Sequence, residues 1–169
     1  TYAELLGDAP EHIIGLCLAP QQSSLSTGAY RKKVEEAQTT LQSTCPVSYV
    51  GSWHRHPGLI AAIVENIQQA LLKFSADVRA TVPVLFTAHS LPERIVAMKD
   101  PYPNEVQGTV EAVKALLGTQ PTRFAYQSQG RSSEPWLGPT VESVVEELAC
   151  AGHRRVLVAP IGFLCDHVE

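Results

Sequence analysis

The segment VPVLFTAHSLP, residues 82–92, joins a nearly all-apolar run to a single histidine and a turn that ends in proline. A run such as Val84, Leu85 and Phe86 belongs in a protein core. Short apolar runs with few charges are typical of strands that are buried on both faces. His89 stands where this run ends, so its titratable ring leaves the core at the end of a predicted strand. This position favours a catalytic or ligand-binding role for His89.

Four further apolar runs alternate with helical patterns along the chain. The predicted strands span residues 13–19, 47–50, 82–88, 123–126 and 156–161. Between them, apolar side chains recur every three or four residues, which predicts helices over 27–41, 57–74, 103–117 and 139–150. This alternation predicts an α/β fold of mainly parallel strands joined by right-handed crossovers.

In such folds, ligands bind at the carboxyl ends of the strands, near the point where strand order reverses. The strand-to-helix junctions carry no G-x-G-x-x-G and no G-x-x-x-x-G-K-[ST], so a dinucleotide site and a P-loop are not supported. G-x-S-x-G is also missing, which removes the usual hydrolase nucleophile turn. The chemistry must come from other residues at these junctions.

Composition narrows the class of protein. A hydrophobic content of 44% with 18% charged residues is that of a folded globular protein. The net charge is −4 and the basic runs at 31–33 and 153–155 are short, so nucleic-acid binding is disfavoured. The apolar stretches are too short to span a bilayer and no signal sequence opens the chain, which favours the cytoplasm. Peripheral contact with a membrane surface stays open.

The four cysteines are scattered, and none forms a C-x-x-C pair. This spacing fits a reducing compartment and argues against an all-cysteine zinc site. We expect free, buried thiols at all four positions.

Two groups of residues are candidates for chemistry. His89 is either a structural hydrogen-bonding group or a catalytic one, and its place at the ligand-binding edge favours the second. Asp166, His167 and Glu169 follow the fifth predicted strand and so lie on the same edge. An imidazole and a carboxylate that face one cavity bind a divalent metal or accept protons in turn. We interpret Asp166 as a helix cap and Glu169 as functional.

Two aromatic segments allow more than one interpretation. His54 and His56, beside Trp53, are two residues apart and do not share a helix face, so we expect them on an exposed loop. The segment PWLGP, residues 135–139, either lines an apolar wall or packs against the start of the following helix.

Six motifs occur in a fixed order over residues 81–169: AHSLP, DPYP, YQS, PWLGP, APIGF and DHVE. In this order and spacing they resemble the ferrochelatase family, whose members insert ferrous iron into a porphyrin. The earlier half, through APQQSSLSTGAY and SWHRHPG, resembles the family more loosely.

The resemblance implies two Rossmann-like halves with the macrocycle in the cleft between them. We expect residues 1–78 to belong to the first half and residues 79–169 to the second. Family members are considerably longer, so we expect a piece of a longer protein with little or no activity by itself.

The resemblance also implies roles for individual residues. The active-site histidine of the family falls on His89 and its essential glutamate on Glu169, which makes both of them catalytic residues and metal ligands. The predicted substrate-binding residues are Ser23, Trp53, Ser90 and His167.

The implied substrates are ferrous iron and a porphyrin, either protoporphyrin IX or coproporphyrin III. Some relatives hold an iron–sulfur cluster, and one of its cysteines falls at about the position of Ser24. Because this chain has a serine there, we expect no cluster and no other permanently bound cofactor. Two alternatives stay open. One is a chelatase for another tetrapyrrole and metal, and the other is a non-catalytic tetrapyrrole carrier or sensor.

Overall fold

The computed structural model describes residues 1–164, and the chain divides into two compact units, Thr1–Trp53 and His54–Glu169. Each unit contains a parallel sheet with flanking helices, so the predicted α/β class is confirmed. The predicted division at residues 78 and 79 refers to the halves of the family fold and stays a prediction.

The first unit contains two helices and a two-stranded sheet. In chain order these are α1 (Tyr2–Gly7), β1 (Ile13–Gly15), α2 (Thr27–Thr40) and β2 (Val47–Tyr49). The strands are parallel, with Ile13 opposite Val47. The prediction of a first strand over residues 13–19 is wrong in length. Beyond Gly15 the carbonyl groups of Cys17 and Pro20 accept hydrogen bonds from Trp53 instead of from a strand.

The second unit contains a three-stranded parallel sheet in the order β4-β3-β5. Its elements are α3 (Pro57–Leu71), α4 (Ala76–Arg79), β3 (Val84–His89), α5 (Arg94–Ala97), α6 (Tyr102–Leu117), β4 (Thr122–Gln127), α7 (Val141–Cys150) and β5 (Leu157–Pro160). The chain leaves β3 toward β4 on one side and returns to β5 on the other. The reversal of strand order therefore lies at β3, which ends in His89.

Strand β3 is buried on both faces because helices cover each side of it. Val84 and Phe86 pack with residues of α3 and α6 in one apolar cluster. Leu85 points the other way and packs with Val144 and Leu148 of α7. The three-layer arrangement explains why this strand reads as a continuous apolar run.

The other strands differ from the prediction of burial on both faces. β4 and β5 flank β3, and each has exposed positions, such as Val158, which is 47% exposed. In the first unit, Ile14 of β1 is 69% exposed. Apolar composition alone does not distinguish a central strand from an edge strand, because both are rich in β-branched residues.

Gly162 follows β5 at a close approach to β3. A Cβ atom built there would lie 3.0 Å from both the Cα and the Cβ of Ala88, which is fully buried. Backbone atoms of a central strand cannot move aside cheaply. We therefore expect Gly162→Ala to lower the free energy of unfolding by about 1–3 kcal/mol, measured by urea denaturation.

Gly51→Ala is the matched control for this substitution. Among the described residues, no heavy atom lies within 4 Å of a Cβ built at Gly51. Its stability should change by no more than about 0.5 kcal/mol. If Gly162→Ala were as stable as the control, the end of β5 would not be held against Ala88.

Within residues 1–164, no helix has both the length and the apolar character that are needed to cross a bilayer.

Candidate functional site

His89 is the last residue of β3 and lies partly buried at the carboxyl end of the sheet. Its Nδ1 lies 2.5 Å from the carbonyl oxygen of Ser90. The ring centroid is 6.5 Å from that of Phe163, which follows β5, and the two planes are inclined by 54°. The carboxyl ends of β3 and β5 therefore meet at this histidine, as the predicted parallel sheet requires.

The Ser90 carbonyl determines which nitrogen of His89 carries the proton. A carbonyl oxygen only accepts hydrogen bonds, so Nδ1 must be the donor. A neutral imidazole has one protonated nitrogen, and its other nitrogen holds a lone pair. In the neutral ring the lone pair is therefore on Nε2, which is the atom suited to accept a proton or to ligate a metal.

Ser90 is fully buried and, besides accepting the bond from His89, donates two hydrogen bonds. Its backbone N–H donates to the carbonyl oxygen of Gln127 at 2.7 Å. Its hydroxyl donates to the carbonyl oxygen of Leu137 at 2.8 Å. The role of Ser90 as a substrate-binding residue stays a prediction, and the observed bonds give it a structural role beside His89.

Tyr102, the first residue of α6, also contacts the histidine. Its hydroxyl donates to the backbone carbonyl oxygen of His89 at 2.7 Å. Tyr102 is 8% exposed and packs with Ala88, Val106 and Leu137 in a second apolar cluster. The end of β3 is thus fixed by the start of α6.

A second tyrosine in the same cluster, Tyr126, lies opposite Ala88 in the sheet. Burial raises the pKa of Tyr126 to about 12. Its hydroxyl therefore keeps its proton at neutral pH and does not serve as a base at this edge.

The loop after β4 supports the loop after β3. The Leu137 N–H donates to the carbonyl oxygen of Leu91 at 2.9 Å, and the Glu93 N–H donates to that of Pro135 at 2.9 Å. Trp136 packs so closely on Gly130 that a Cβ there would lie 2.4 Å from its ring. The PWLGP segment thus braces the turn that follows His89, and the two interpretations considered for it stay predictions.

Three of the predicted residues, Asp166, His167 and Glu169, lie outside the described residues. Convergence of Glu169 on His89 therefore stays a prediction. The ring contact between Phe163 and His89 shows only that the chain just after β5 reaches His89.

Ser23 and Trp53 belong to the first unit, in the loops that follow β1 and β2. Ser23 is 2% exposed, and its hydroxyl oxygen accepts a hydrogen bond from the Leu25 N–H at 3.1 Å. The Trp53 indole N–H donates to the carbonyl oxygen of Cys17 at 3.1 Å. Substrate binding by these two residues stays a prediction.

The expectation of an exposed histidine loop is right for His56 and wrong for His54. His56 is exposed, and its Nδ1 accepts a hydrogen bond from the Gly58 N–H at the start of α3. The His54 side chain is 20% exposed, and its Nδ1 lies 3.7 Å from Oε2 of Glu105. His54 lies against α6, where a Cβ built at Gly108 would be 2.9 Å from its Nε2, and sequence spacing does not indicate this contact.

The thiols differ in part from the expectation. Cys17, Cys45 and Cys150 are free, but the first two are half-buried and the third is exposed. Within residues 1–164, no three histidine, cysteine or acidic side chains are grouped so that they would hold a metal ion.

A cavity of about 270 Å³ lies between α3 and β5. Its walls include Ile63, Ala70, Val158 and Phe163. Among the described residues, neither His89 nor Ser90 lines it. Pockets for small molecules span about 300–1,000 Å³. This cavity by itself is too small for a porphyrin.

Sequence patterns missed Tyr102 as a part of this site. The DPYP motif, residues 100–103, was visible, but its tyrosine looked like the start of an amphipathic helix. A tyrosine buried at a helix start needs a partner for its hydroxyl, and this is the signal that would have found it.

The whole chain, residues 1–169, matches the family model described as ferrochelatase. The chain belongs to the ferrochelatase family. It is 43% identical over 166 residues to a ferrochelatase of Herpetosiphon aurantiacus, covering 98% of this chain and 54% of that protein. A ferrochelatase of Deinococcus radiodurans is 38% identical, with 98% of this chain and 53% of that protein covered.

A coproporphyrin III ferrochelatase of Listeria monocytogenes is 32% identical over 96% of this chain and 52% of its own length. The chain therefore spans about half the length of the curated relatives it matches. The predicted resemblance to ferrochelatases is confirmed.

Proposed function

We propose that the whole protein to which this chain belongs inserts ferrous iron into a porphyrin. The observation that carries the proposal is the geometry of His89 in a chain of this family. It ends the central strand where strand order reverses, and its Nδ1 is engaged by a backbone carbonyl. This leaves Nε2 as the basic atom, and the proposal gives that atom a role in the reaction.

Iron insertion exchanges two pyrrole N–H protons for one Fe²⁺ ion. The ring must bend so that nitrogen lone pairs become accessible, and rigid apolar walls hold it bent by contributing binding energy. His89 accepts a pyrrole proton or ligates the arriving iron through Nε2. Glu169 favours the charged form of His89 or passes protons outward. Ser23, Trp53 and His167 are proposed to contact the porphyrin.

The substrate is proposed to be protoporphyrin IX or coproporphyrin III. Relatives with either name, ferrochelatase or coproporphyrin III ferrochelatase, align over nearly all of this chain. Location in the cytoplasm, contact with a membrane surface and the inactivity of the 169-residue chain alone stay predictions.

The proposal is tested by offering the whole protein both porphyrins, with uroporphyrin as a control ring, and each of Fe²⁺, Co²⁺ and Ni²⁺. Absorbance spectra distinguish the free porphyrin from the metallated one. We expect Fe²⁺ insertion into one of the first two rings at a rate at least about tenfold above that for uroporphyrin. This ratio of rates is what a binding site complementary in shape to one ring provides against another ring.

Two outcomes contradict the proposal. Metal insertion into uroporphyrin alone would indicate a chelatase for another tetrapyrrole. A spectral change with porphyrin, but without metallation when Fe²⁺ is added, would indicate a carrier or sensor.

A further inference from the structure

The peptide group between His89 and Ser90 is held from both sides. Its carbonyl oxygen, from His89, accepts the Tyr102 hydroxyl at 2.7 Å. Its N–H, from Ser90, donates to the carbonyl oxygen of Gln127 at 2.7 Å. Because a peptide group is planar, the two bonds together fix the orientation of this plane.

The Ser90 carbonyl lies between two groups that are hydrogen-bonded to Leu137. The Ser90 hydroxyl donates to the Leu137 carbonyl oxygen at 2.8 Å, and the Leu137 N–H donates to that of Leu91 at 2.9 Å. These bonds keep the Ser90 carbonyl oxygen 2.5 Å from Nδ1 of His89. Rotation of either peptide would separate the two atoms.

Tyr102 is itself rigidly placed. Its N–H donates to Oδ1 of the buried Asp100 at 3.0 Å, at the start of α6. Its ring packs in the apolar cluster that contains Ala88, Val106 and Leu137. The hydroxyl therefore reaches the His89 carbonyl from a fixed point on another element.

We propose that Tyr102 and Ser90 are positioning residues that hold the neutral His89 ring as the Nδ1–H tautomer and so present Nε2 to the substrate. This inference rests on the proposed role of His89 and deepens it. With the proton on Nε2 instead, the Nδ1 lone pair would face the Ser90 carbonyl oxygen at 2.5 Å, and the two would repel each other.

The test compares Tyr102→Phe with the unchanged whole protein, without porphyrin or iron. The ¹⁵N chemical shifts of the two His89 ring nitrogens, recorded at alkaline pH, report the tautomer directly. They are assigned with a His89→Gln variant. We expect Nδ1–H to dominate in the unchanged protein. In Tyr102→Phe the tautomer ratio should move about fivefold toward Nε2–H, the change that one net hydrogen bond produces.

Tyr126→Phe is the matched control because it makes the same change in the same cluster. Within the described residues, no hydrogen bond joins the Tyr126 hydroxyl to His89 or Ser90. Its tautomer ratio should equal that of the unchanged protein. An equal shift in both variants would mean that the cluster as a whole, rather than the Tyr102 hydroxyl, fixes the ring, and would overturn the proposal.

Ser90→Ala provides a second variant, which removes only the bond to Leu137. We expect a shift in the same direction as for Tyr102→Phe. Unchanged ratios in both variants, or an Nε2–H tautomer in the unchanged protein, would overturn the inference. Because no substrate is present, these results are independent of whether the protein inserts iron.

Iron-insertion kinetics distinguish a positioning role of the Tyr102 hydroxyl from a role in porphyrin binding. A fivefold shift away from a dominant Nδ1–H tautomer lowers the Nδ1–H fraction by no more than about threefold, so kcat of Tyr102→Phe should fall measurably but within that limit, while KM for porphyrin stays unchanged. A change in KM alone would show that the hydroxyl affects porphyrin binding and would contradict a positioning role.

Discussion

Replacement of His89 by alanine is expected to lower the rate of iron insertion by the whole protein about 10²- to 10⁴-fold. This is the range that a positioned proton-transfer group contributes. The imidazole stands where strand order reverses, and its Nδ1 bond to Ser90 leaves the basic nitrogen on the other side of the ring. The substitution removes that nitrogen. It leaves in place the bond from the Tyr102 hydroxyl to the carbonyl of residue 89 and the bond from the Ser90 N–H to the Gln127 carbonyl.

The fold should survive this substitution, because the His89 side chain lies at the rim of the sheet and not in its centre. His153→Ala is the matched control. His153 is an exposed histidine in the loop that precedes β5, at the opposite end of the strands. Initial rates of porphyrin metallation, followed by absorbance, should be unchanged in the control. Metallation by His89→Ala at the unchanged protein's rate would refute the proposed role of the histidine.

Replacement of Phe86 by alanine should lower the free energy of unfolding by about 3–5 kcal/mol. Phe86 lies in the centre of β3 and is fully buried, with 0% of its surface exposed to solvent. It packs with residues of α3 and α6 in the main apolar cluster. Truncation loses the transfer free energy of the ring and leaves a cavity that neighbouring helices cannot fill completely.

Leu116→Ala makes a comparable truncation on the surface. Leu116 lies on α6 and is 59% exposed. We expect a change of no more than about 0.5 kcal/mol in this control. Urea denaturation followed by circular dichroism measures both variants. A loss below about 1 kcal/mol for Phe86→Ala would mean that β3 does not lie at the centre of the core.

Much of the fold was predictable because the spacing of apolar residues along a helix is a local feature of the sequence. The spacing of apolar residues over 57–74 and 103–117 predicted helices that the structure begins at Pro57 and Tyr102. Gly118 was predicted as a helix stop, and it takes φ of +64°, a conformation that favours glycine. The short helices α1, α4 and α5 were not predicted, since helices of four to six residues show too few turns for a periodic pattern.

The candidate site was predictable only in part. His89 was found because a titratable residue at the end of an apolar run is conspicuous. Tyr102, which bonds to its carbonyl, and Leu137, which bonds to the adjacent Ser90, lie 13 and 48 residues further along the chain, and no local pattern connects them to it. The burial of His54 beside Glu105 was missed for the same reason, because it depends on a contact between a loop and a distant helix.

By itself, the amino-acid sequence determined the α/β class, the family and the identity of the histidine at the end of β3. Each of these depends on composition, periodicity or ordered motifs along the chain. Only the tertiary structure decided which nitrogen of His89 is basic. That choice depends on the Ser90 carbonyl, and its direction is set by hydrogen bonds from strands and helices that meet only after folding.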